Sequence, residues 1–239
     1  MFFLLGRGTY ILVLAAVLPA FFLVRYIYRA DRLEKEPPAL ILRVLLYGVI
    51  STYLALVLEL IGEKILDSMY FQSEADFYMV EFFLIVGPAE ELAKFLAFRL
   101  GVWKRSEFNC QFDGIVYCVS AALGFALWEN IKYVFAYGFT TAIVRAVTAV
   151  PGHACFGVFM GIWAGVAKRQ ELIGNSVAAK LFMFIGWLSS SLIHGLYDYL
   201  ATTGSSGGGD FIFIGFIVIM FLICITAVKK LSAKDRFIQ

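Results

Sequence analysis

Seven long apolar stretches constrain this chain more than any other feature of its sequence. A helix crosses a bilayer with about 20 largely apolar residues, and each stretch is close to that length. They are approximately Tyr10–Ile27, Ala39–Ile61, Phe77–Leu100, Asp113–Tyr137, Thr141–Ala167, Leu181–Thr202 and Phe211–Val228. With 61% hydrophobic and 16% charged residues in a chain of 239, the composition excludes an ordinary soluble domain. The sequence predicts an all-α fold, a polytopic membrane helix bundle of about seven transmembrane helices.

Basic residues are distributed unequally between the two sides of this bundle. If successive connections alternate between the sides, one side carries most of the 20 lysines and arginines. Cytoplasmic loops are enriched in these residues, so the pattern predicts an N-terminus outside and a C-terminus in the cytoplasm of a bacterial-type plasma membrane. The connections are short, which predicts a single domain over residues 1–239. The sequence lacks a basic patch interleaved with aromatic residues of the kind that binds nucleic acid, so no nucleic-acid partner is expected. The predicted surroundings are the lipid bilayer.

The third stretch contains three ionisable residues close together, Glu90, Glu91 and Lys94. Each such group near the bilayer centre costs roughly 2.5–3.5 kcal/mol on insertion scales, and the usual reason for that cost is function. Neighbouring residues on a helix point about 100° apart, so the two carboxylates are not expected to share one task. Lys94 is within reach of either, and the alternative interpretation is a neutralised ion pair joining two helices. Pro88 can kink the helix and free backbone carbonyls.

The fourth stretch contains Glu129 and Asn130 near its predicted outer end. Glu129 is a candidate for the same polar site as the acids of the third stretch. It also lies three residues before Lys132, and the alternative interpretation is an ion pair between these two residues near the outer interface.

The only two histidines of the chain lie in the fifth and sixth stretches. His153 is followed at four-residue intervals by small residues that let another helix approach closely: Gly157, Gly161 and Gly165. That spacing predicts an imidazole held against a neighbouring helix, the alternative being a satisfied core histidine. His194 has Asp198 one turn further on, and such a carboxylate can orient an imidazole.

The depth of these side chains places them in one layer of the membrane. Counted inward at about 1.5 Å per residue, the acids and imidazoles fall between the mid-membrane and the outer half. We therefore predict that four helices bring their polar groups together in one cavity.

The spacing of the polar residues argues against three known types of intramembrane protease site. An HExxH zinc helix is excluded because the histidines are 41 residues apart. The run from Gly204 to Gly207 lacks the GxSxG spacing of a serine site. Asp198 and Asp210 are only 12 residues apart, and the second is predicted to lie in a hydrophilic loop. A site built from glutamate and histidine remains.

The motifs taken together resemble those of the PrsW family of intramembrane proteases, which belongs with the CAAX-prenyl-protease and bacteriocin-processing (Abi/CPBP) superfamily. The resemblance covers about Phe77 to Leu200 and implies a catalytic core at about 77–202. The matching residues are Glu90-Glu91-x-x-Lys94, Asp113-Gly114, Gly124-Phe125-x-x-x-Glu129-Asn130, His153 and His194-x-x-x-Asp198.

The resemblance implies roles for the acids and for one histidine. Glu90 or Glu91 would activate water for attack on a peptide carbonyl, and Glu90 is favoured. His194 would help to position or protonate the reacting groups. Asp198 takes the place of an asparagine in the wider superfamily, and Glu129 takes the place of a histidine.

Two further residues are expected to have a structural or ion-pairing role, Lys94 and Asn130. Lys94 stands in for the superfamily's arginine and is one residue closer to the acid pair. These departures follow the PrsW branch and leave open which group would stabilise the oxyanion.

A metal and a substrate also follow from the resemblance. His153, His194 and Glu129 would suit a catalytic Zn²⁺ with one open position, whereas a metal-free glutamate could act as general base. The substrate implied is a single-pass membrane protein, an anti-sigma factor cut near its outer membrane face. The sequence does not fix the oligomeric state.

Two other classes of protein would bury similar groups. An ion-coupled secondary membrane transporter places carboxylates and histidines near the midplane, and would take up protons without cleaving a peptide. A non-catalytic membrane scaffold would keep its function after Glu90→Gln, Glu91→Gln and His194→Ala.

Overall fold

The protein is a bundle of α-helices, which confirms the predicted all-α membrane fold. A computed structural model describes residues 7–204 and 209–238. The α-helices are α1 (Arg7–Ala30), α2 (Pro38–Leu66), α3 (Glu74–Val80), α4 (Gly87–Val102), α5 (Asp113–Tyr137), α6 (Phe139–Val147), α7 (Ala149–Leu172), α8 (Ser176–Thr203) and α9 (Gly209–Ala233). Within the described ranges, six helical segments are long and apolar enough to cross a membrane. The chain is a multi-pass integral membrane protein.

All seven predicted spans are helical, and one of them is interrupted. The predicted bounds of α5 are those observed, whereas the span Thr141–Ala167 is divided at Thr148 between α6 and α7. Pro151 explains the break, because a proline ring clashes with the carbonyl four residues before it and is tolerated only in the first turn of a helix. That carbonyl belongs to Val147, the last residue of α6.

The helical run that contains the acid pair changes its winding just before the acids. A π-helical segment, Glu81–Val86, joins α3 to α4, and the N–H of Gly87 bonds to the carbonyl of Phe82, five residues earlier. Pro88 follows directly, and its missing N–H and bulky ring favour a wider turn there. The predicted span Phe77–Leu100 is therefore helical, but it is not one of the six segments that meet the length and hydropathy requirement. The total of seven membrane crossings stays a prediction.

The predicted loop from Thr203 to Asp210 lies partly outside the described residues, since 205–208 are not among them. α8 ends at Thr203 and α9 begins at Gly209. Asp210, which the sequence placed in a hydrophilic loop, therefore lies in the first turn of α9.

The glycines of α7 allow α5 to pack directly on its backbone, as their spacing predicts. A Cβ atom added at Gly161 would lie 2.5 Å from the Cα of Ile115, and one at Gly165 would lie 2.2 Å from the carbonyl oxygen of Gln111. Both distances are far below the 3.5–4.0 Å at which carbon atoms pack favourably. The same contact fixes the position of His153, two turns before Gly161 on α7.

We predict that Gly161→Val destabilises the protein, because the new side chain would overlap the backbone of α5. Overpacking of a core costs about 1–3 kcal/mol, which would lower the unfolding midpoint of the detergent-solubilised protein by several degrees. Gly215→Val is the matched control, since a Cβ at Gly215 in α9 meets nothing within 4 Å. Equal midpoints for the two variants would contradict the close packing.

Candidate active site

A cavity of about 270 Å³ lies at one end of the bundle. Its wall comes from the C-terminal halves of α2, α5 and α8 and from the N-terminal parts of α4 and α7. In an alternating bundle these parts share one end, which the charge distribution predicts to be the outer end. The ionisable side chains of the wall are Glu59, Glu90, Glu129, Lys132, Tyr133, Arg145, His153, His194, Tyr197 and Asp198. The space is sufficient for several water molecules, at about 30 Å³ for each in the liquid.

The ammonium group of Lys94 lies at the centre of the buried charges beside this cavity. Its Nζ is 2.7 Å from Glu91 Oε1 and 3.0 Å from Glu90 Oε2. It is also 2.9 Å from Nδ1 of His153 on α7, and 4.4 Å from the centre of the Phe125 ring on α5. Lys94 is only 1% exposed, so these partners replace water around the charge. The ammonium thereby joins α4 to α5 and α7.

His153 connects this group to a further carboxylate. An ammonium can only donate, so Nδ1 of His153 accepts and the imidazole proton is assigned to Nε2. Nε2 then donates to Glu129 Oε2 over 2.8 Å. The same oxygen accepts from Nη2 of Arg145 at 2.9 Å, and Nε of Arg145 donates to Asn130 Oδ1 at 3.0 Å. Asn130 in turn donates to the carbonyl of Ala16 at 2.9 Å, which extends the network to α1.

His194 is held by carboxylates at both of its ring nitrogens. Nδ1 lies 3.0 Å from Glu91 Oε1. Nε2 lies 3.2 Å from Asp198 Oδ2 and 3.7 Å from Glu90 Oε2. The ring of Phe156 stacks on the imidazole, with the two centroids 4.5 Å apart. Contacts at both nitrogens and on one face leave this ring little freedom to turn.

The two adjacent glutamates occupy different positions, in line with their angular separation on the helix. Glu90 lines the cavity, whereas Glu91 is 0% exposed and contacts Lys94 and His194. Among the described residues Oε2 of Glu91 has no hydrogen-bond partner. Glu90 is therefore the member of the pair that water in the cavity can reach.

The structure adds two residues to the site that the sequence analysis did not single out, Arg145 and Glu59. Glu129 pairs with Arg145 and His153, so the alternative ion pair with Lys132 is not adopted. Arg145 is the only charged residue of the apolar helix α6. The cost of placing a charge in an apolar helix, which made Lys94 a candidate, could have identified Arg145 too. Glu59 lies near the end of a predicted span, where a charge is unremarkable.

Three side chains bring metal-ligating atoms within 4.8 Å of one another: Glu90, His153 and His194. Two imidazoles and a carboxylate are a donor set typical of catalytic zinc, so a metal at this position is chemically reasonable. The set suggested by the sequence contained Glu129 where this group contains Glu90. The ammonium of Lys94 contacts both Glu90 and His153, so a positive charge already lies beside this group of ligands.

Comparison with known proteins identifies the family of the chain. A family model described as PrsW family intramembrane metalloprotease matches residues 36–227. The chain belongs to the PrsW family. A relative named Protease PrsW from Shouchella clausii (strain KSM-K16) is 32% identical over 226 residues, which is 95% of this chain and 98% of the relative. Relatives of the same name from Geobacillus kaustophilus (strain HTA426) and Bacillus subtilis (strain 168) are 36% and 31% identical, over 79% and 80% of this chain and 79% and 83% of theirs.

Membership of the PrsW family confirms the resemblance seen in the motifs, and with it the prediction that the chain is an intramembrane protease. The family covers α2 and α9 in addition to the motif-bearing helices, since the match begins at Glu36 and ends at Ala227. No solved structure matches the chain.

We predict that Arg145→Gln destabilises the protein, because it leaves the Glu129 carboxylate with only His153 as a partner. Both side chains of this ion pair are at most 14% exposed, and breaking such a pair from one side costs about 3 kcal/mol. Thermal unfolding in detergent measures the loss. Arg105→Gln, which breaks the exposed pair with Glu107, is the control and is expected to unfold like the wild type. The interpretation fails if the two variants unfold at the same temperature.

Proposed function

We propose that this PrsW-family protease cleaves a peptide bond with water activated by Glu90. The observation that carries the proposal is the position of this carboxylate: it lies on the cavity wall and within 3.7 Å of His194 Nε2. A general base must reach both the water and a group that can complete the proton transfer. Glu90 meets both requirements, whereas Glu91 is enclosed by its partners.

The chemistry divides between Glu90 and His194. Glu90 takes a proton from water as the oxygen attacks the scissile carbonyl carbon, giving a tetrahedral intermediate. When the carbon–nitrogen bond of that intermediate breaks, protonated His194 gives its Nε2 proton to the leaving nitrogen. The proton held by Glu90 then passes to Nε2, 3.7 Å away, which restores both groups. Glu91 and Asp198 hold the two nitrogens of His194 in place, and Lys94 holds Glu90 in position.

Zinc offers a second arrangement at the same atoms, favoured by the convergence of Glu90, His153 and His194. These three residues would hold the ion, and a bound zinc would supply Lewis-acid polarisation of the scissile carbonyl. Glu90 would then be a ligand, and the ion would lie beside the Lys94 ammonium, which is 3.0 Å from Glu90 and 2.9 Å from His153. We propose the first arrangement because two positive charges so close together in a buried place repel each other.

The substrate we propose is a single-pass membrane protein, an anti-sigma factor, cut near its outer membrane face. The observation that supports a membrane-embedded substrate is that the cavity lies among membrane-spanning helices. Cleavage near the outer face rests on the orientation predicted from the distribution of basic residues. We also propose that the catalytic core, placed at about 77–202 from the motifs, includes α2. Thr52 and Glu59 of this helix line the cavity.

We predict that Glu90→Gln lowers the rate of cleavage of a single-pass substrate in proteoliposomes by at least about 100-fold, the usual contribution of a general base. His194→Ala is expected to lose activity to a similar degree. Glu63→Gln is the matched control, since Glu63 is an exposed acid of α2 away from the cavity wall, and it should cleave at the wild-type rate. A folded Glu90→Gln protein that cleaves normally would disprove the assignment of the base.

Adding a chelator in the same experiment distinguishes the metal-free arrangement, with Glu90 as the base, from the zinc arrangement. If Glu90 is the base, wild-type cleavage continues at an unchanged rate after chelation. Loss of cleavage that added Zn²⁺ restores would contradict the metal-free arrangement and favour the zinc arrangement.

A further inference from the structure

A second cluster of buried acids lies at the end of the bundle opposite the cavity. Asp31 follows the last residue of α1, Glu36 lies two residues before α2, and Asp113 begins α5. These residues are 0%, 2% and 0% exposed. One oxygen from each lies within 4.8 Å of the oxygens of the other two. Three carboxylates this close together in a buried place repel one another unless they share protons or a cation lies among them.

Donors from the protein satisfy only part of this cluster. Asp113 Oδ2 accepts from the backbone N–H groups of Asn109 and Cys110, at 2.9 and 2.6 Å. Asp31 Oδ2 accepts from the N–H of Glu36 at 3.3 Å. The other oxygens, Asp31 Oδ1 and Asp113 Oδ1, are buried and have no hydrogen-bond partner among the described residues. Buried oxygens of this kind normally have a partner, because losing water without one is costly.

The neighbouring basic residue, Lys35, favours the anionic form of Asp31 but supplies only part of the compensating charge. The Nζ of Lys35 donates to the backbone carbonyls of Tyr28 and Asp31 and is not paired with a carboxylate. The hydroxyl of Tyr117 donates to Glu36 but carries no charge. Burial raises the pKa of Asp31 to about 6 and that of Glu36 to about 7.

We propose that Asp31, Glu36 and Asp113 bind a hard divalent cation of the Mg²⁺ and Ca²⁺ class. All the ligands are carboxylate oxygens, which these cations prefer, and two of the three residues have a buried oxygen without a hydrogen-bond partner among the described residues. The donor set differs from that of the cavity, where two of the three ligand residues are histidines. The proposal does not depend on the mechanism of proteolysis.

The cation would add a direct link between parts of the chain that are far apart in sequence. It would tie the linker between α1 and α2 to the first turn of α5. The segment after α9 is adjacent, because Asp235 Oδ1 accepts from the N–H of Phe112 at 2.9 Å and its Oδ2 has no partner among the described residues. A ligand atom of Asp235 also lies within 4.8 Å of one from Asp113.

The test is thermal unfolding of the purified full-length protein in detergent after treatment with a chelator. MgCl₂ and CaCl₂ are titrated in separate arms at constant ionic strength. We expect a saturable rise in the unfolding midpoint in at least one arm, by about 5–10 °C at a hundredfold excess over the dissociation constant. The arm that saturates at the lower concentration identifies the preferred cation. A wild-type midpoint that does not change with either salt would overturn the proposal, and would mean that shared protons satisfy these oxygens.

Variants test whether the rise in the unfolding midpoint comes from cation binding at Asp31, Glu36 and Asp113. Asp31→Asn should abolish it, and Glu36→Gln should do the same if the first variant folds poorly. Glu34→Gln is the matched control, since Glu34 is an exposed acid of the same linker, and it should keep the full rise. Glu90→Gln should also keep it, which separates this site from the cavity. An equal rise in wild type and in the Asp31 and Glu36 variants would place the cation elsewhere and refute the proposal.

Discussion

The buried ammonium of Lys94 is the interaction on which the rest of the site depends. Two adjacent carboxylates in a membrane-embedded helix would repel each other and would be costly to bury. Lys94 lies one turn further along the same helix, contacts both of them, and is shielded by Phe125 on one side. Without this cation, Glu90 could not lie on the cavity wall as a carboxylate. The proposed chemistry therefore depends on a buried cation that is not itself part of the cavity wall.

The network around Lys94 also determines how the helices are arranged. His153 connects α4 to α7, and Glu129 and Arg145 continue the connection to α5 and α6. The glycines of α7 allow α5 to approach closely enough for these short contacts to form. Polar groups with so many partners specify one arrangement of the bundle more strictly than apolar packing alone. Positioning of the reacting groups and stability of the fold are thus two consequences of the same contacts.

The sequence predicted what depends on length, periodicity and the cost of buried charge. The helices, the close approach along the glycines of α7 and the layer shared by the two histidines belong to this class. It could not predict what depends on the reach of single side chains. Whether Glu129 pairs with Lys132 or with Arg145 depends on how α6 packs beside α5, and the structure shows the pair with Arg145. The cluster around Asp31 was missed because the charges of a linker are usually solvated.

The most direct test of this account is the thermal unfolding of Lys94→Met, with Lys94→Met/Glu91→Gln beside it. Removing one partner of a buried ion pair costs about 3–5 kcal/mol, because the remaining charge is left without compensation. The account predicts a large fall in the unfolding midpoint for the single variant. It also predicts partial recovery in the double variant, in which one of the two uncompensated carboxylates has been removed. A Lys94→Met protein that unfolds at the wild-type temperature would contradict it.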